Sequence, residues 1–228
     1  MSFIIPETLN GITIALGTAK GGLDFSLKGG NLPFMRSYLK ESFGADVVVL
    51  KQIHSSLISE VDKNTRDALF GREGDGLFTT DSGLILGILT ADCYPVFLAG
   101  DKGICALHCG WRGVFLGIIG ASSTFFNKIG DRPKYAYIGA GISAKNFAVG
   151  EDFIHSLSEG DRGCLIKSED GNFYFDLLLK IRSELSAIGV KDIFSSNLCT
   201  YENSDFYSYR RDKTEKRMLS FILKGRSR

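Results

Sequence analysis

The 228-residue chain is poor in the residues that define several protein classes. It has three histidines, one tryptophan and five cysteines, and no two cysteines form a CxxC pair. The lack of CxxC pairs argues against a zinc ribbon. An odd cysteine count without a secretion signal argues against a disulfide framework. The cysteines are therefore expected to be free thiols or metal ligands.

Charge excess, targeting signals and long apolar runs are also missing. Lys and Arg number 27 against 26 Asp and Glu, so no net charge attracts nucleic acid or an anionic membrane. The start, MSFIIPETLNG, lacks the basic and apolar regions of a signal peptide. The longest apolar-leaning run, 114–126, falls short of the roughly 20 residues of a spanning helix. We expect a cytoplasmic protein with a small-molecule partner, no nucleic acid and no membrane.

The patterns that are present predict an α+β fold. The chain length fits a single domain over 1–228. Helical spacing predicts helices over PFMRSYLKESFG, 114–128, about 151–158, and after Asp176. Short apolar runs between turn signals predict strands, and consecutive strands are most simply antiparallel. These runs are GITIAL, ADVVVLKQIH, LISEV, DGLFTT, LILGILT, CYPVFLA, GICALH, KYAYIGA, NFYF, IFSSN, DFYSYR and MLSFIL. We expect one domain of mixed, largely antiparallel sheets flanked by helices.

The stretch TADCYPVFLAGDKGICALHCGWRG concentrates three cysteines and one histidine. Side chains alternate along a strand, so Cys105 and His108 should face opposite sides, and Cys105 and Cys109 fit an apolar core. Cys93 precedes Pro95, which marks a strand start, edge or bulge. The GDKG turn would place Cys93 beside His108 on neighbouring strands. Two unrelated residues on adjacent strands would fit this spacing equally well.

His54 supplies a third donor. It follows the strong strand VVVL, and functional side chains are commonly presented at strand ends. Two histidines and one cysteine that leave a fourth position for water match a catalytic zinc site. A lone histidine is more often structural, so His54 by itself does not decide between the two roles.

The GWRG tetrapeptide marks the passage from a strand to a helix. Its glycines permit close backbone approach. The N–H groups of a helix N-terminus together with Arg112 would bind phosphate. A tight turn with a solvated Arg112 fits the local sequence equally well.

The segments KQIHS, TADCYPVFL, ALHCGWRG, GAGISAKNFAVG and NLCTYENSDFYSYRRD together resemble the laccase-domain family. Members of this family were first labelled multicopper polyphenol oxidases and later zinc-dependent purine nucleoside phosphorylases. The resemblance runs from about Gly11 to Leu223. It implies a zinc ion, with copper as the alternative metal, bound by His54, Cys93 and His108. It also implies a fold similar to bacterial toxin deamidases, in which a Cys/His pair performs hydrolysis.

The leading hypothesis is phosphorolysis of adenosine, inosine and guanosine to free base and ribose 1-phosphate. Adenosine deaminase and methylthioadenosine phosphorylase activities are implied as side reactions. In this hypothesis Cys93, His108 and Arg112 are catalytic, with phosphate held by Arg112 and the GWRG backbone. The predicted substrate contacts are Gln52, Lys51 and Asn31. The residues predicted to orient a ligating imidazole are Asp92 and Asp75.

Several alternatives stay open. Lys20 and Asp24 replace an Arg and a Ser of the family in a shortened loop, which weakens the transfer of substrate contacts from this segment. A multicopper oxidase needs many histidines, whereas only His155 is left outside the three proposed ligands. A metal-free Cys/His hydrolase and a non-catalytic nucleotide-binding module are the other two candidates. Arg210 and Arg211 either reach the site or form a solvated basic edge.

Overall fold

A computed structural model describes residues 3–9, 11–28, 32–169 and 171–225. Its strands are β1 Phe3–Leu9, β2 Ile12–Gly17, β3 Asp46–Val48, β4 Ile58–Glu60, β5 Gly76–Thr79, β6 Leu84–Thr90, β7 Tyr94–Ala99, β8 Ile104–Cys109, β9 Tyr135–Ile138, β10 Ala148–Val149, β11 Leu165–Lys167, β12 Phe173–Phe175, β13 Asp192–Ser195 and β14 Met218–Lys224. Its α-helices are α1 Leu32–Phe43, α2 Arg66–Leu69, α3 Trp111–Phe115, α4 Ile118–Lys128, α5 Glu151–His155, α6 Leu177–Ala187 and α7 Tyr209–Asp212. Two 3-10 helices span Ala144–Asn146 and Glu159–Cys164.

The strands form two large sheets and one small sheet. One sheet has the order β1-β2-β14-β6-β3, the second has the order β13-β9-β7-β8-β5-β4, and the small one has the order β10-β12-β11. Among the described strands, three pairings are parallel: β3 with β6, β4 with β5, and β9 with β13. The other pairings are antiparallel. The predicted class, mixed and largely antiparallel sheets flanked by helices, is confirmed.

The two large sheets face each other across an apolar core. Side chains from both sheets meet in this core: Leu16, Val48, Leu86, Ile88, Phe97, Ala106 and Ile222. The opposite face of the five-stranded sheet packs on α1 through Met35 and Leu39. The opposite face of the six-stranded sheet packs on α4 and α6. Because each strand alternates its side chains between two buried faces, the central strands are buried at nearly every residue and mostly apolar, rather than apolar at every second residue.

The β7–β8 hairpin carries two of the predicted ligands. Its register pairs Pro95 with His108 and Tyr94 with Cys109. Cys105 and Cys109 point to the core under the helices, as the alternation predicts. Cys93 immediately precedes β7, so the predicted approach of Cys93 and His108 through the GDKG turn is confirmed.

The structure differs from the sequence prediction in several places. Strands β5, β6 and β7 follow one another in the chain, but β6 belongs to the other large sheet, and β4 pairs with β5 in parallel. Of the five strands β4 to β8, only β7 and β8 therefore form a sequential antiparallel hairpin. The helix predicted over 114–128 is two helices, because Gly117 adopts a left-handed φ of 80° between them. The DFYSYR segment was wrongly predicted as a strand. Its last residues begin α7, where the Ser208 hydroxyl accepts the N–H of Arg211 as an N-cap.

No described helix is both long enough and apolar enough to span a membrane.

Candidate metal centre

Three potential metal ligands converge at one end of the six-stranded sheet. The ligand atoms of His54, Cys93 and His108 all lie within 4.8 Å of one another. Cys93 Sγ is 3.8 Å from His54 Nε2. The rings of His54 and His108 meet edge to face, with their centroids 4.8 Å apart. His108 is buried, Cys93 is partly buried and His54 is exposed, so the cluster opens to solvent on the His54 side.

Asp75 organises both histidines from beneath the cluster. This fully buried carboxylate lies 2.8 Å from His108 Nδ1 and accepts the backbone N–H of His54 over 2.9 Å. It also accepts the N–H and the hydroxyl of Ser55, each over 2.7 Å. With Nδ1–H of His108 donated to Asp75, Nε2 is left to bind a metal ion. Asp75 thus contacts the His108 imidazole in the way that the sequence prediction requires, and ligation by that imidazole stays a prediction.

Two glycines and one residue with a left-handed backbone conformation allow the His54 loop to approach Cys93 and the segment after His108. His54 has a φ of 61°, which three backbone N–H groups donated to Asp75 stabilise. A Cβ at Gly110 would lie 2.7 Å from His54 Cδ2 and 3.1 Å from Cys93 Sγ. A Cβ at Gly113 would lie 2.9 Å from the Ser55 carbonyl oxygen. The glycines of GWRG thus make room for the His54 loop.

The charges at the site favour a thiolate beside a protonated imidazole. Burial raises the pKa of the Cys93 thiol, but His108 and then His54 outweigh burial and lower that pKa to about 6. Burial lowers the pKa of His108, but the Cys93 thiolate and Asp75 outweigh it and raise that pKa to about 9. Burial raises the pKa of Asp75, but hydrogen bonds from His108 and Ser55 bring it down to about 2.

This donor set fits a transition-metal ion. Two imidazole nitrogens and one thiolate are ligands that zinc prefers, and three protein ligands with one open position are typical of catalytic rather than structural zinc sites. Asp75 supplies the hydrogen bond that ligating histidines almost always make with their second nitrogen. His54, Cys93 and His108 are therefore the residues that could hold a metal. His155, the third histidine of the chain, is exposed on α5 and is not part of the described ligand group.

Arg112 lies at the surface beside the site. Helix α3 begins at Trp111, three residues earlier than predicted, and the Arg112 guanidinium sits 4.2 Å from the centroid of the Trp111 ring. Trp111 in turn packs edge to face on Phe115 and Phe153. The guanidinium is thus held on an aromatic platform at the N-terminus of α3. Its role in binding phosphate stays a prediction.

The three predicted substrate contacts have different surroundings. Gln52 exchanges two hydrogen bonds with the backbone of Leu89, each over 2.7 Å, which joins the His54 segment to β6. Lys51 is exposed and pairs with Glu73. Asn31 lies outside the described residues. Lys20, which belongs to the same TAKGGLDFSLKGGN segment of the sequence, pairs with Asp205.

Asp92 corrects a prediction. Its carboxylate accepts the Thr200 hydroxyl and the backbone N–H of Arg210, instead of orienting an imidazole. The sequence could not show this, because its partners lie more than 100 positions along the chain. Arg211 donates to the carbonyls of Thr200 and Phe206. The Arg211 side chain therefore stabilises the neighbouring backbone through hydrogen bonds, instead of forming the solvated edge or reaching the site.

Sequence reasoning missed Ser55 and the spatial role of Gly110. Ser55 is the last residue of KQIHS, and its two hydrogen bonds to Asp75 complete the support of the histidines. A polar residue directly after a candidate ligand was the available signal. For Gly110 the available signal was its position between the candidate ligand His108 and the start of the predicted helix.

Comparisons with known proteins identify the family. The family model described as multi-copper polyphenol oxidoreductase laccase matches residues 33–224. Proteins named purine nucleoside phosphorylase YfiH, from Shigella flexneri and Escherichia coli, are 32% identical over 200 residues, covering 85% of this chain and 75% of theirs. A protein named purine nucleoside phosphorylase from Deinococcus radiodurans is 39% identical over 145 residues, covering 61% of this chain and 56% of its own.

Solved structures share the whole fold. YlmD from Geobacillus stearothermophilus has a TM-score of 0.87 and 26% identity, covering 99% of this chain and 97% of its own. Protein YfiH from Bacillus licheniformis has a TM-score of 0.87 and 25% identity, covering 97% of this chain and 96% of its own. The chain belongs to the multi-copper polyphenol oxidoreductase laccase family, whose curated relatives here carry the name purine nucleoside phosphorylase.

Proposed function

We propose that the protein is a zinc-dependent purine nucleoside phosphorylase that acts on adenosine, inosine and guanosine. The observation that carries this proposal is the convergence of His54, Cys93 and His108 at a solvent-open site, in a chain related to proteins of that name. Adenosine deaminase and methylthioadenosine phosphorylase activities are proposed as side reactions of the same site.

In phosphorolysis an oxygen of phosphate forms a bond to C1′ of the ribose while the bond from C1′ to the base nitrogen breaks. The electron pair of that bond goes to the base, which takes up a proton as it leaves. A zinc ion, when bound, supplies a Lewis acid that stabilises negative charge developing during the reaction. The protein supplies positioning and a fixed electrostatic environment.

The residues of the chain divide these tasks. His54, Cys93 and His108 would hold the metal, and Asp75 keeps His108 in the tautomer that ligation needs. Arg112 would bind phosphate, because its guanidinium offers several N–H donors and the Trp111 ring beneath it limits its motion. Lys51, Gln52 and Asn31 stay the predicted contacts of the nucleoside.

The test is a mass-spectrometric product assay on zinc-loaded protein with adenosine, inosine and guanosine, with and without phosphate. We expect free base and ribose 1-phosphate only when phosphate is present. Cys93→Ala should abolish both products, whereas Cys164→Ala should retain them, since Cys164 is a buried thiol of the 159–164 helix and not a ligand. Arg112→Ala should raise the KM for phosphate more than the KM for nucleoside. Absence of phosphate-dependent products would overturn the proposal.

A metal-free cysteine hydrolase is the second candidate. Cys93, His108 and Asp75 form a nucleophile, base and orienting group, and the Cys93 pKa of about 6 favours the thiolate. Similarity to toxin deamidases stays a prediction that belongs to this candidate. Removal of zinc by a chelator separates the two: phosphorolysis should disappear and return with added zinc, whereas a cysteine hydrolase would keep or gain activity.

A further inference from the structure

Cys93 lies outside the hydrogen-bonded ladder of its sheet. Strand β7 begins at Tyr94, and residues 91–93 form a bend between β6 of one sheet and β7 of the other. The ladder therefore does not fix the direction of the Cys93 side chain. Any element that holds this side chain in the metal centre must act through its neighbours in the chain.

The backbone of Asp92 has an unusual conformation. Its φ is 99°, in the left-handed region that residues other than glycine rarely adopt. The Asp92 carbonyl accepts the N–H of Ile142 over 2.8 Å. This bond joins the bend before β7 to the chain that follows β9.

The Asp92 carboxylate binds a second, more distant segment. One of its oxygens accepts the Thr200 hydroxyl over 2.7 Å, and the other accepts the Arg210 backbone N–H over 2.6 Å. Asp92 and Thr200 are both buried, so water does not compete for the bond between them. Both carboxylate oxygens are thus occupied by the chain between β13 and β14.

Tyr94 holds the other side of Cys93. Its hydroxyl donates to the Ile142 carbonyl over 2.8 Å. Its ring packs so closely on Gly141 that a Cβ there would lie 2.4 Å from Tyr94 Cδ1. Residues 141–142 therefore hold both neighbours of Cys93, whose own side chain is directed to His54 and His108.

We propose that Asp92 is a positioning residue for the metal centre. By tying the bend to Thr200 and Arg210, it keeps residue 92 in the left-handed conformation that directs Cys93 Sγ toward the two imidazoles. This inference rests on the metal centre of the proposed function and not on the reaction catalysed there. It also assigns a task to the GAGIS and CTYENSDFYSYRRD segments, whose residues supply these contacts.

The test uses Co²⁺ alone as the probe of the full-length protein. The thiolate-to-cobalt charge-transfer band reports ligation by Cys93, and a titration gives the dissociation constant. Asp92→Ala and Asp92→Gly should weaken Co²⁺ binding by about 10-fold and reduce this band, at the lower end of the loss seen when a group hydrogen-bonded to a metal ligand is removed, because Asp92 acts through the backbone. Asp92→Gly tolerates the left-handed φ, so its loss of affinity would show that the hydrogen bonds are needed as well.

Two further variants test the hydrogen bonds alone. Thr200→Val removes one of them with little change in shape, and we expect a smaller weakening in the same direction. Asp92→Asn should bind Co²⁺ nearly as well as the parent protein, because asparagine tolerates positive φ and its carbonyl oxygen can accept the Arg210 N–H while Thr200 accepts from its amide.

A matched control separates positioning from general stability. Asp131 also caps a turn with its carboxylate, accepting the N–H groups of Asp101, Lys102 and Gly103. Asp131→Ala should lower the thermal midpoint and leave Co²⁺ binding and the charge-transfer band unchanged.

Unchanged cobalt binding in folded Asp92→Gly would overturn the proposal. If Asp92→Gly does not fold, unchanged binding in Thr200→Val would overturn it. A parent protein that binds Co²⁺ through Cys93 but shows no phosphorolysis would count against the proposed function alone.

Discussion

His108 Nδ1 lies 2.8 Å from Asp75 Oδ1, and both side chains are buried. The same carboxylate accepts backbone N–H groups from the segment that carries His54. One buried carboxylate therefore positions two of the three potential metal ligands, which come from a loop and a strand far apart in sequence.

Replacing Asp75 should damage both the fold and the metal centre. Asp75→Asn puts an N–H₂ group where hydrogen-bond donors converge, and we expect a loss of about 3–5 kcal/mol in the free energy of unfolding, as for other broken buried pairs. Zinc affinity should fall by about 10- to 100-fold. Chemical denaturation and chelator competition measure the two effects.

The pH dependence and a neighbouring control refine this prediction. The folded-state pKa of Asp75, about 2, is below its ordinary value, so its stabilisation is present at neutral pH and is lost as the pH falls toward 2. The difference between Asp75→Asn and the parent protein should shrink over that range. Glu73→Gln breaks an exposed ion pair with Lys51 and should cost at most about 1 kcal/mol. Equal losses in the two variants would contradict the role given to Asp75.

Gly110→Ala should disrupt the metal centre more than the fold. The added Cβ would lie 2.7 Å from His54 Cδ2 and 3.1 Å from Cys93 Sγ, so the exposed His54 ring must shift and Cys93 is crowded as well. We expect weaker zinc binding with a smaller change in thermal midpoint. Gly120→Ala is the control, because nothing lies within 4 Å of its added Cβ inside α4, and it should be neutral or stabilising by up to about 1 kcal/mol. Unchanged zinc affinity in Gly110→Ala would argue against ligation by His54.

Cys93 should react with iodoacetamide at unusually low pH in the metal-free protein. The thiolate is the nucleophile, and the Cys93 pKa is about 6, so its alkylation rate should rise as the pH increases through 6. An ordinary thiol titrates at about 8.5. Peptide-resolved mass spectrometry follows each cysteine separately. Buried Cys105, whose pKa is raised by burial, should stay unmodified under the same conditions.

His108 is the main cause of this reactivity. In His108→Gln the positive charge beside Cys93 is removed, so the midpoint of the alkylation profile should move to higher pH. Added zinc should protect Cys93 in the parent protein at every pH tested above the midpoint. If the pH midpoint of Cys93 alkylation is the same in His108→Gln as in the parent protein, the thiolate–imidazolium pair is contradicted.

Gln52→Ala should reveal a structural role for the Gln52 amide. Its removal leaves the N–H and C=O groups of Leu89 without their partners, which should cost about 1–3 kcal/mol in the free energy of unfolding. Lys51→Ala, one residue away, removes only an exposed ion pair and should cost at most about 1 kcal/mol. Denaturant titration compares the two variants. A Gln52→Ala protein of parental stability with a raised nucleoside KM would instead support the predicted substrate contact.

Local patterns in the sequence were sufficient to predict the face on which each residue of β8 lies. The two-residue period of a strand separated His108 from Cys105, and the GDKG turn joined the strands that bring Cys93 to His108. The prediction of sequential antiparallel strands was wrong for β4 and β5, which pair in parallel, and for β6, which joins the other sheet. Strand β6 is apolar on both faces, and nothing local distinguishes the sheet to which such a strand adds.

The residues around the candidate ligands show the same difference between what the local sequence predicts and what depends on distant contacts. Asp75 and Asp92 were both predicted to orient a ligating imidazole. The contacts of Asp75 with two histidines depend on how β5 pairs with β8, and the partners of Asp92 are Thr200 and Arg210. DFYSYR is rich in aromatic residues, which favour strands, whereas the Ser208 cap and the hydrogen bond between Arg210 and Asp92 make it a turn and a short helix.

The amino-acid sequence by itself determined the class of the fold and the face of β8 on which Cys105 and Cys109 lie, and it made His54, Cys93 and His108 candidate metal ligands, which the resemblance to the laccase-domain family favoured further. The first two follow from side-chain alternation and turn chemistry, which act over a few residues. Only the tertiary structure decided which sheet each apolar strand joins and which carboxylate contacts which candidate ligand. It also decided that the Asp92 carboxylate binds residues more than 100 positions away in the chain. Such contacts form only when distant segments are packed together, and a single sequence contains no local signal for that packing.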